Sequence, residues 1–336
     1  MELILGLPEE IGLECLTRLP YTAYRVASQV CSQWRELLKS PAFYSLRKQT
    51  GHTHKVACLV QSLPAISDGQ KHVGPPPYGI VVFDPVSQNW ERLEAVPSYP
   101  DGLPLFCRLS SVDGKLVVMG GWNPASWEPV KDVFIYDFRT RQWRKGKDMP
   151  SNRSFFAAGA VEGRVFVAGG HDESKNALSS VWAYDVTGDE WEELCPMNEE
   201  RDECEGVVVG NEFWVVSGYG TEFQGRFKRS AEVYQVGLNR WQRVEEVWVG
   251  DRCPRGCVDV GRDRKLICWA DADAAVEAGA CAVGLGEKTL VAGWAHLGAP
   301  LEVFLVGNSG QNDKLEKIDV PDQFSGFIQG GCFVEI

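Results

Sequence analysis

Few residues in this sequence are typed and spaced for chemistry. The five histidines, His52, His54, His72, His171 and His296, form no HExxH pair and have no cysteine pair beside them, so they offer no set of metal ligands. Eleven cysteines, an odd count, are scattered from Cys15 to Cys332 without CxxC spacing and read as reduced packing residues. Gly284-Leu285-Gly286-Glu287-Lys288-Thr289 imitates a phosphate loop but lacks its four-residue spacer and GK[ST] ending. No catalytic residue, metal or cofactor is therefore expected. What remains are groups suited to binding. Arg153, Arg201 and Arg255 each stand ten residues before a turn residue, Gly163, Asn211 and Lys265. A guanidinium can fork onto carboxylates or carbonyls of a partner. Trp122 and Trp127 sit in a variable, loop-like stretch, the kind of segment where binding concentrates.

The charge balance narrows the partner. Thirty-four basic and forty-six acidic residues among 336 leave a net charge of −12, which repels nucleic acid and anionic lipid. No run approaches the ~18 to 20 apolar residues of a membrane span. The opening Met1-Glu2-Leu3-Ile4-Leu5-Gly6-Leu7-Pro8 lacks a basic region and a cleavage site, so cytoplasm or nucleus is the expected compartment.

Two kinds of element must position these groups. Over residues 1–50 the period is helical: Ile11, Cys15, Leu16 and Leu19 share a face, and Ser40-Pro41 reads as an N-cap with proline at the first helical position. So short a unit buries too little surface to stand well alone, which calls for a partner or a neighbouring domain. From residue 51 the grammar changes to short β-branched runs. Trp90, Trp143, Trp191 and Trp241 recur at intervals of 53, 48 and 50, and each is preceded at seven residues by Phe83, Tyr136, Tyr184 or Tyr234. Gly120-Gly121 and Gly169-Gly170, with Ser217-Gly218 as counterpart, close apolar strands that follow turn dipeptides such as Asp113-Gly114. One unit is thus a four-stranded antiparallel sheet of about 50 residues, and radial packing of such sheets avoids long exposed edges. The 285 residues from His52 fit six sheets with one abbreviated, or five with long loops. The first sheet lacks an innermost strand, which the run Phe327 to Ile336 is expected to supply.

The repeat resembles the kelch repeat. The N-terminal stretch, Leu7-Pro8-Glu9-Glu10-Ile11 through Cys15-Leu16 and Leu19-Pro20 to Cys31-Ser32-Gln33-Trp34-Arg35-Glu36-Leu37, resembles an F-box. The fold this implies is a small all-α F-box, residues 1–50, followed by an all-β kelch propeller, residues 51–336. The order resembles that of a large plant family. The opening Met-Glu-Leu-Ile and the ending Lys317 to Ile336 are similar to the subgroup containing the Kiss Me Deadly proteins. The pattern fades after Trp241, where Cys268-Trp269-Ala270 replaces a diglycine.

The resemblance implies a non-catalytic substrate receptor of a Skp1–cullin–F-box ubiquitin ligase, linked through a Skp1-type adaptor to cullin 1 and a RING subunit. The subgroup's targets are phenylalanine ammonia-lyase and type-B response regulators of cytokinin signalling. Leu7, Pro8, Ile11, Leu16, Leu19, Pro20, Cys31, Trp34 and Leu37 are then expected to form the adaptor-docking surface, some also serving the helical core. Arg153, Arg201 and Arg255 are expected around the channel mouth, meeting an acidic or carbonyl-rich target segment, with Trp122 and Trp127 as further contacts. The alternatives are a kelch scaffold without a ligase role and a galactose-oxidase-like enzyme, whose copper ligands cannot be assembled from these residues.

Overall fold

The computed structural model describes residues 3–64, 75–248, 253–254, 256, 258–260, 266–268, 278–294, 300–307 and 315–336. Four helices come first: α1 (Glu9–Thr17), α2 (Tyr24–Ala27), α3 (Ser32–Lys39) and α4 (Pro41–Gln49). Their ends follow from local chemistry. Ser40 Oγ accepts the Phe43 amide at 3.1 Å and Pro41 opens α4, while Cys31 Sγ caps α3 through the Trp34 amide. Leu16, Tyr24, Ala27, Leu38 and Phe43 form the core of this unit.

The remainder is a ring of antiparallel sheets. β1 (Lys55–Ser62), β2 (Tyr78–Asp84) and β3 (Asn89–Arg92) belong to the first blade. The second holds β4 (Arg108–Val112), β5 (Lys115–Met119), β6 (Val133–Asp137) and β7 (Gln142–Lys145). The third holds β8 (Ala157–Val161), β9 (Arg164–Ala168), β10 (Val181–Asp185) and β11 (Glu190–Leu194). The fourth holds β12 (Glu205–Val209), β13 (Glu212–Val216), β14 (Ala231–Gln235) and β15 (Arg240–Val244). A two-stranded sheet follows, β16 (Val258–Val260) with β17 (Leu266–Cys268). The last blade holds β18 (Ala278–Gly284), β19 (Lys288–Trp294), β20 (Glu302–Gly307) and β21 (Leu315–Ile318). β22 (Ile328–Glu335) then returns as the inner strand of the first blade, paired with β1 from Lys55↔Glu335 to Gln61↔Ile328. Among the described residues five blades are four-stranded, and the ring closes as the sequence predicts, with both ends of the β region in one sheet.

The sequence repeat has a direct geometric meaning. An aromatic seven residues before a tryptophan is its cross-strand partner in the outer hairpin: Phe83↔Trp90, Tyr136↔Trp143, Tyr184↔Trp191 and Tyr234↔Trp241. Their rings lie 4.6 to 5.2 Å apart. Each indole N–H also donates to a carbonyl of the preceding blade: Trp143 to Glu94, Trp191 to Lys147, Trp241 to Cys195, and Trp90 across the closure to Asp319. The aspartate after the aromatic holds the turn, as when Asp185 Oδ1 accepts the Thr187 and Gly188 amides. At Gly169-Gly170 both residues have φ near +70 to +80°, and a Cβ on Gly170 would stand 2.3 Å from the Ser154 carbonyl oxygen. No other residue fits so close a crossing of backbones.

The helical unit is fastened to the ring. Tyr21 joins the core between the first two blades and meets Phe138 edge-on at 6.2 Å. Tyr44 Oη donates to the Glu335 carbonyl, and Lys48 pairs with the Glu335 carboxylate at 3.1 Å. Burial pushes that carboxyl up, but the Thr53 hydroxyl and Lys48 outweigh it and hold it below the ordinary glutamate value. Arg47, almost fully buried, donates to the carbonyls of Thr17, Leu19 and His52 and so ties α1, the α1–α2 link and the first propeller residues together.

Candidate functional site

Strand alternation gives the ring two unlike faces. The helices meet Gly114, Phe138, Arg139 and Ile336, which lie at the tight turns β4–β5 and β6–β7 and at the β22 terminus. The longer connections, 93–107, 120–132, 146–156, 169–180, 195–204 and 217–230, join the opposite strand ends and therefore lie on the face away from the helices. Between the faces runs a cavity of about 480 Å³ walled by the inner strands, with small residues such as Ser110, Ala158, Gly206 and Gly330. Arg108 crosses it, donating to the Phe156 and Cys204 carbonyls and pairing with Glu205 at 3.1 Å, so that three blades share one guanidinium.

The recurring arginines do not face the mouth. Arg153 and Arg201 are 1% and 0% exposed and are spent inside their own blades. Arg153 donates to the carbonyls of Gly169 and Ser180 and to Ser180 Oγ. Arg201 repeats this on Ser217, Ser230 and Ser230 Oγ and adds Glu232 Oε1 at 3.2 Å. Each guanidinium thus clamps the two ends of the long loop that follows the glycine pair. Burial pulls Arg153 down to about 10, still a cation at neutral pH. The expectation that these two arginines contact a target is corrected: their charge satisfies carbonyls that the loop crossing takes out of water. Arg255 lies outside the described residues.

Two positions before the inner strands of the second, third and fourth blades, and two after Arg153 and Arg201 in the third and fourth, stands a left-handed residue, and the first of these, Phe106, lines the cavity. Phe106, Phe155 and Glu203 precede β4, β8 and β12 by two residues, and all three have φ between 52 and 58°. A left-handed residue reverses the backbone just before the inner strand. The sequence carries the signal as an offset of eight residues before Gly114, Gly163 and Asn211, but Phe, Phe and Glu share no chemistry that would mark it.

Trp122, His171 and Tyr219 follow the glycine pairs and bridge to Leu105, Ser154 and Asp202. The half-buried Trp122 packs edge-on against Phe155 at 6.1 Å, His171 at 5.8 Å and Trp127 at 6.5 Å. Phe106 extends the cluster through Phe155 at 4.9 Å, and Trp127 is 53% exposed. The two tryptophans chosen from the sequence are thus brought together, one as support and one as surface.

His171 Nδ1 lies 2.9 Å from both carboxylate oxygens of Asp202, beside Ser154. Serine, histidine and aspartate are the types of a nucleophile, base and orienting acid, yet Ser154 Oγ and His171 Nε2 are both buried and neither bonds to the other. The defining contact of a triad is not made. Among the described residues no three His, Cys, Asp or Glu side chains group as metal ligands.

In the helical unit, Pro8, Ile11, Pro20 and Cys31 are exposed, and Leu7, Leu19, Trp34 and Leu37 are half-buried. Trp34 donates its indole N–H to the Leu3 carbonyl at 2.7 Å and packs on the helical core. Leu16 is fully buried and belongs to the core alone, a correction to its place among the docking residues. Val26 and Val30, legible in the sequence only as helical periodicity, are 69% and 62% exposed and extend the apolar surface.

Residues 4–46 match the F-box domain, and residues 52–258 match the Kelch-repeats domain of the KLHDC2/KLHL20/DRC7 type. The F-box/kelch-repeat protein At1g15670 of Arabidopsis thaliana is 35% identical over the full length of both chains. The F-box/kelch-repeat protein At2g44130 of the same plant is 39% identical over 81% of this chain and 73% of its own. Among solved structures, that of YjhT superposes with a TM-score of 0.58 at 13% identity, covering 77% of this chain and 97% of that one, a likeness of fold alone.

Proposed function

The chain belongs to the plant F-box/kelch-repeat family, and from that membership we propose that it is the substrate-recognition subunit of a Skp1–cullin–F-box ubiquitin ligase. The observation that carries this reading is the opposition of the two faces. The helical unit packs Tyr21 and Tyr44 onto the turn side of the ring while leaving Pro8, Ile11, Val26 and Val30 in solvent, and the long loops open on the other side. An exposed apolar helical surface fits a protein partner, here a Skp1-type adaptor, and through it cullin 1 and a RING subunit. The loop face holds the target. The chemistry falls to other subunits, and this chain contributes proximity by raising the effective concentration of target lysines near the ubiquitin carrier.

Phenylalanine ammonia-lyase and type-B response regulators are the targets we propose, on the resemblance of the two chain ends to the Kiss Me Deadly subgroup, and cytoplasm or nucleus is the compartment. Reconstitution tests this. The protein, a Skp1-type adaptor, cullin 1, a RING subunit and each candidate target are combined with ubiquitin and its activating and carrier enzymes. Target ubiquitination that depends on this chain supports the reading. A stable complex with target but none with the adaptor would leave a scaffold, and modification independent of this chain would reject the receptor role.

A further inference from the structure

We propose that the aromatic mouth formed by Trp122, Trp127, Phe155 and His171 takes a lysine or arginine side chain of the target, at a position over Trp122 that the chain's own Lys175 fills when no target is bound. The inference rests on the receptor reading above and assigns its target chemistry.

Three independent features converge on a cation. The first is a stand-in. Lys175, exposed on the loop that follows Gly170, places Nζ 5.6 Å from the centroid of the Trp122 ring. An ammonium at that range from an indole face is attracted by the ring quadrupole. The second is an unanswered acceptor. His171 Nδ1 lies against the Asp202 carboxylate; in the tautomer with its proton on Nδ1 the other nitrogen, Nε2, is an acceptor, and among the described residues Nε2 has no partner although it is buried beside these rings. A buried acceptor without a donor is costly, and a guanidinium or ammonium brings donors. The third is charge. The connections 93–107, 120–132, 146–156, 169–180, 195–204 and 217–230 together hold twelve acidic and eight basic residues; Arg153, Arg201 and Asp202 are buried, which leaves eleven acidic against six basic. The face presented to a target is therefore acidic, which attracts a basic segment and repels an acidic one. This reverses the preference expected when the arginines were placed at the mouth.

The test uses the full chain and three labelled, capped glycine–serine peptides: one carrying paired arginines, one paired glutamates, one neither. Binding is read by fluorescence anisotropy. The arginine peptide is expected to bind and the other two to fail. Lys175→Met should tighten the arginine peptide by about two- to five-fold by vacating the ring, and Trp127→Ala and Trp122→Leu should weaken it by a similar factor without changing charge. Lys288→Met, which makes the same charge change on β19 away from the mouth, should leave the affinity unaltered. Equal tightening in Lys288→Met and Lys175→Met would reduce the effect to net charge and overturn the proposal. So would unchanged affinity in Trp127→Ala, whose exposed side chain can be removed without unfolding the blade. Co-purification with a Skp1-type adaptor is measured on the same preparations: its loss counts against the receptor role, whereas its retention with no arginine preference counts against this inference alone.

Discussion

Replacing Arg201 with alanine separates a clamp from a target contact. The side chain is 0% exposed, reaches two carbonyls and a hydroxyl at 2.7 to 3.0 Å, and lies 3.2 Å from Glu232, which is also 0% exposed. Removal takes the guanidinium from the Ser217 carbonyl and Ser230 Oγ, leaves the Ser230 carbonyl with the Ser217 amide alone, and leaves the Glu232 carboxylate with only the Asn198 and Glu199 donors. Breaking a buried pair on one side costs about 3 to 5 kcal/mol, because the surviving charge stays buried without compensation. Set against a total stability of roughly 5 to 15 kcal/mol, that is a large fraction. At about 2 to 4 °C per kcal/mol it lowers the melting temperature by roughly 10 °C. Differential scanning calorimetry of Arg201→Ala, Glu232→Gln and the double variant forms a cycle in which the double variant is less damaged than the sum of the two singles. An Arg201→Ala protein that melts like wild type while losing its target would refute the clamp and return the arginine to the mouth.

Two further outcomes follow from the same structure. Deleting residues 327–336 removes β22 and exposes the inner edge of β1, so the truncated chain should aggregate or melt well below the intact one, as followed by light scattering during a thermal ramp. Burial raises Asp84, but His54, Ser87 and the Val86 amide more than offset it and depress the carboxyl from 3.8 to about 2. Because the folded value is the lower, the stabilisation is complete above pH ~4 and is lost as pH falls through ~2. It is worth about 2 kcal/mol at neutral pH and roughly half that at pH 3. Urea unfolding of wild type and Asp84→Asn should show the gap between them narrowing by that amount.

Periodicity and repeat carried most of the architecture. The seven-residue offset between aromatic and tryptophan is a hairpin register, and register leaves a trace in sequence because side chains must pair across strands. Closure by the C-terminal strand was legible because the first blade is one strand short. The helical cap at Ser40 was legible because capping is local. The direction of the arginine side chains was not. An arginine at a fixed offset looks the same whether it faces solvent or the carbonyls of its own blade, and only the crossing of Gly169-Gly170 over Ser154 and Arg201 decides between them. The junction was hidden for a related reason: Tyr21, Tyr44 and Arg47 read as ordinary helical residues until β22 brings Glu335 and Ile336 beneath them.

The central claim is that the helical unit docks on an adaptor while the ring holds the target, and one binding measurement bears on it most directly. Purified protein and a Skp1-type adaptor are titrated by calorimetry, wild type beside a variant carrying Ile11→Asp and Val30→Asp, two side chains that are 50% and 62% exposed and contribute little to the helical core. Wild type should form a stoichiometric complex, and the variant should lose detectable binding while melting at the wild-type temperature. Adaptor binding by the variant at wild-type affinity, or no binding by the wild-type protein, would contradict the claim.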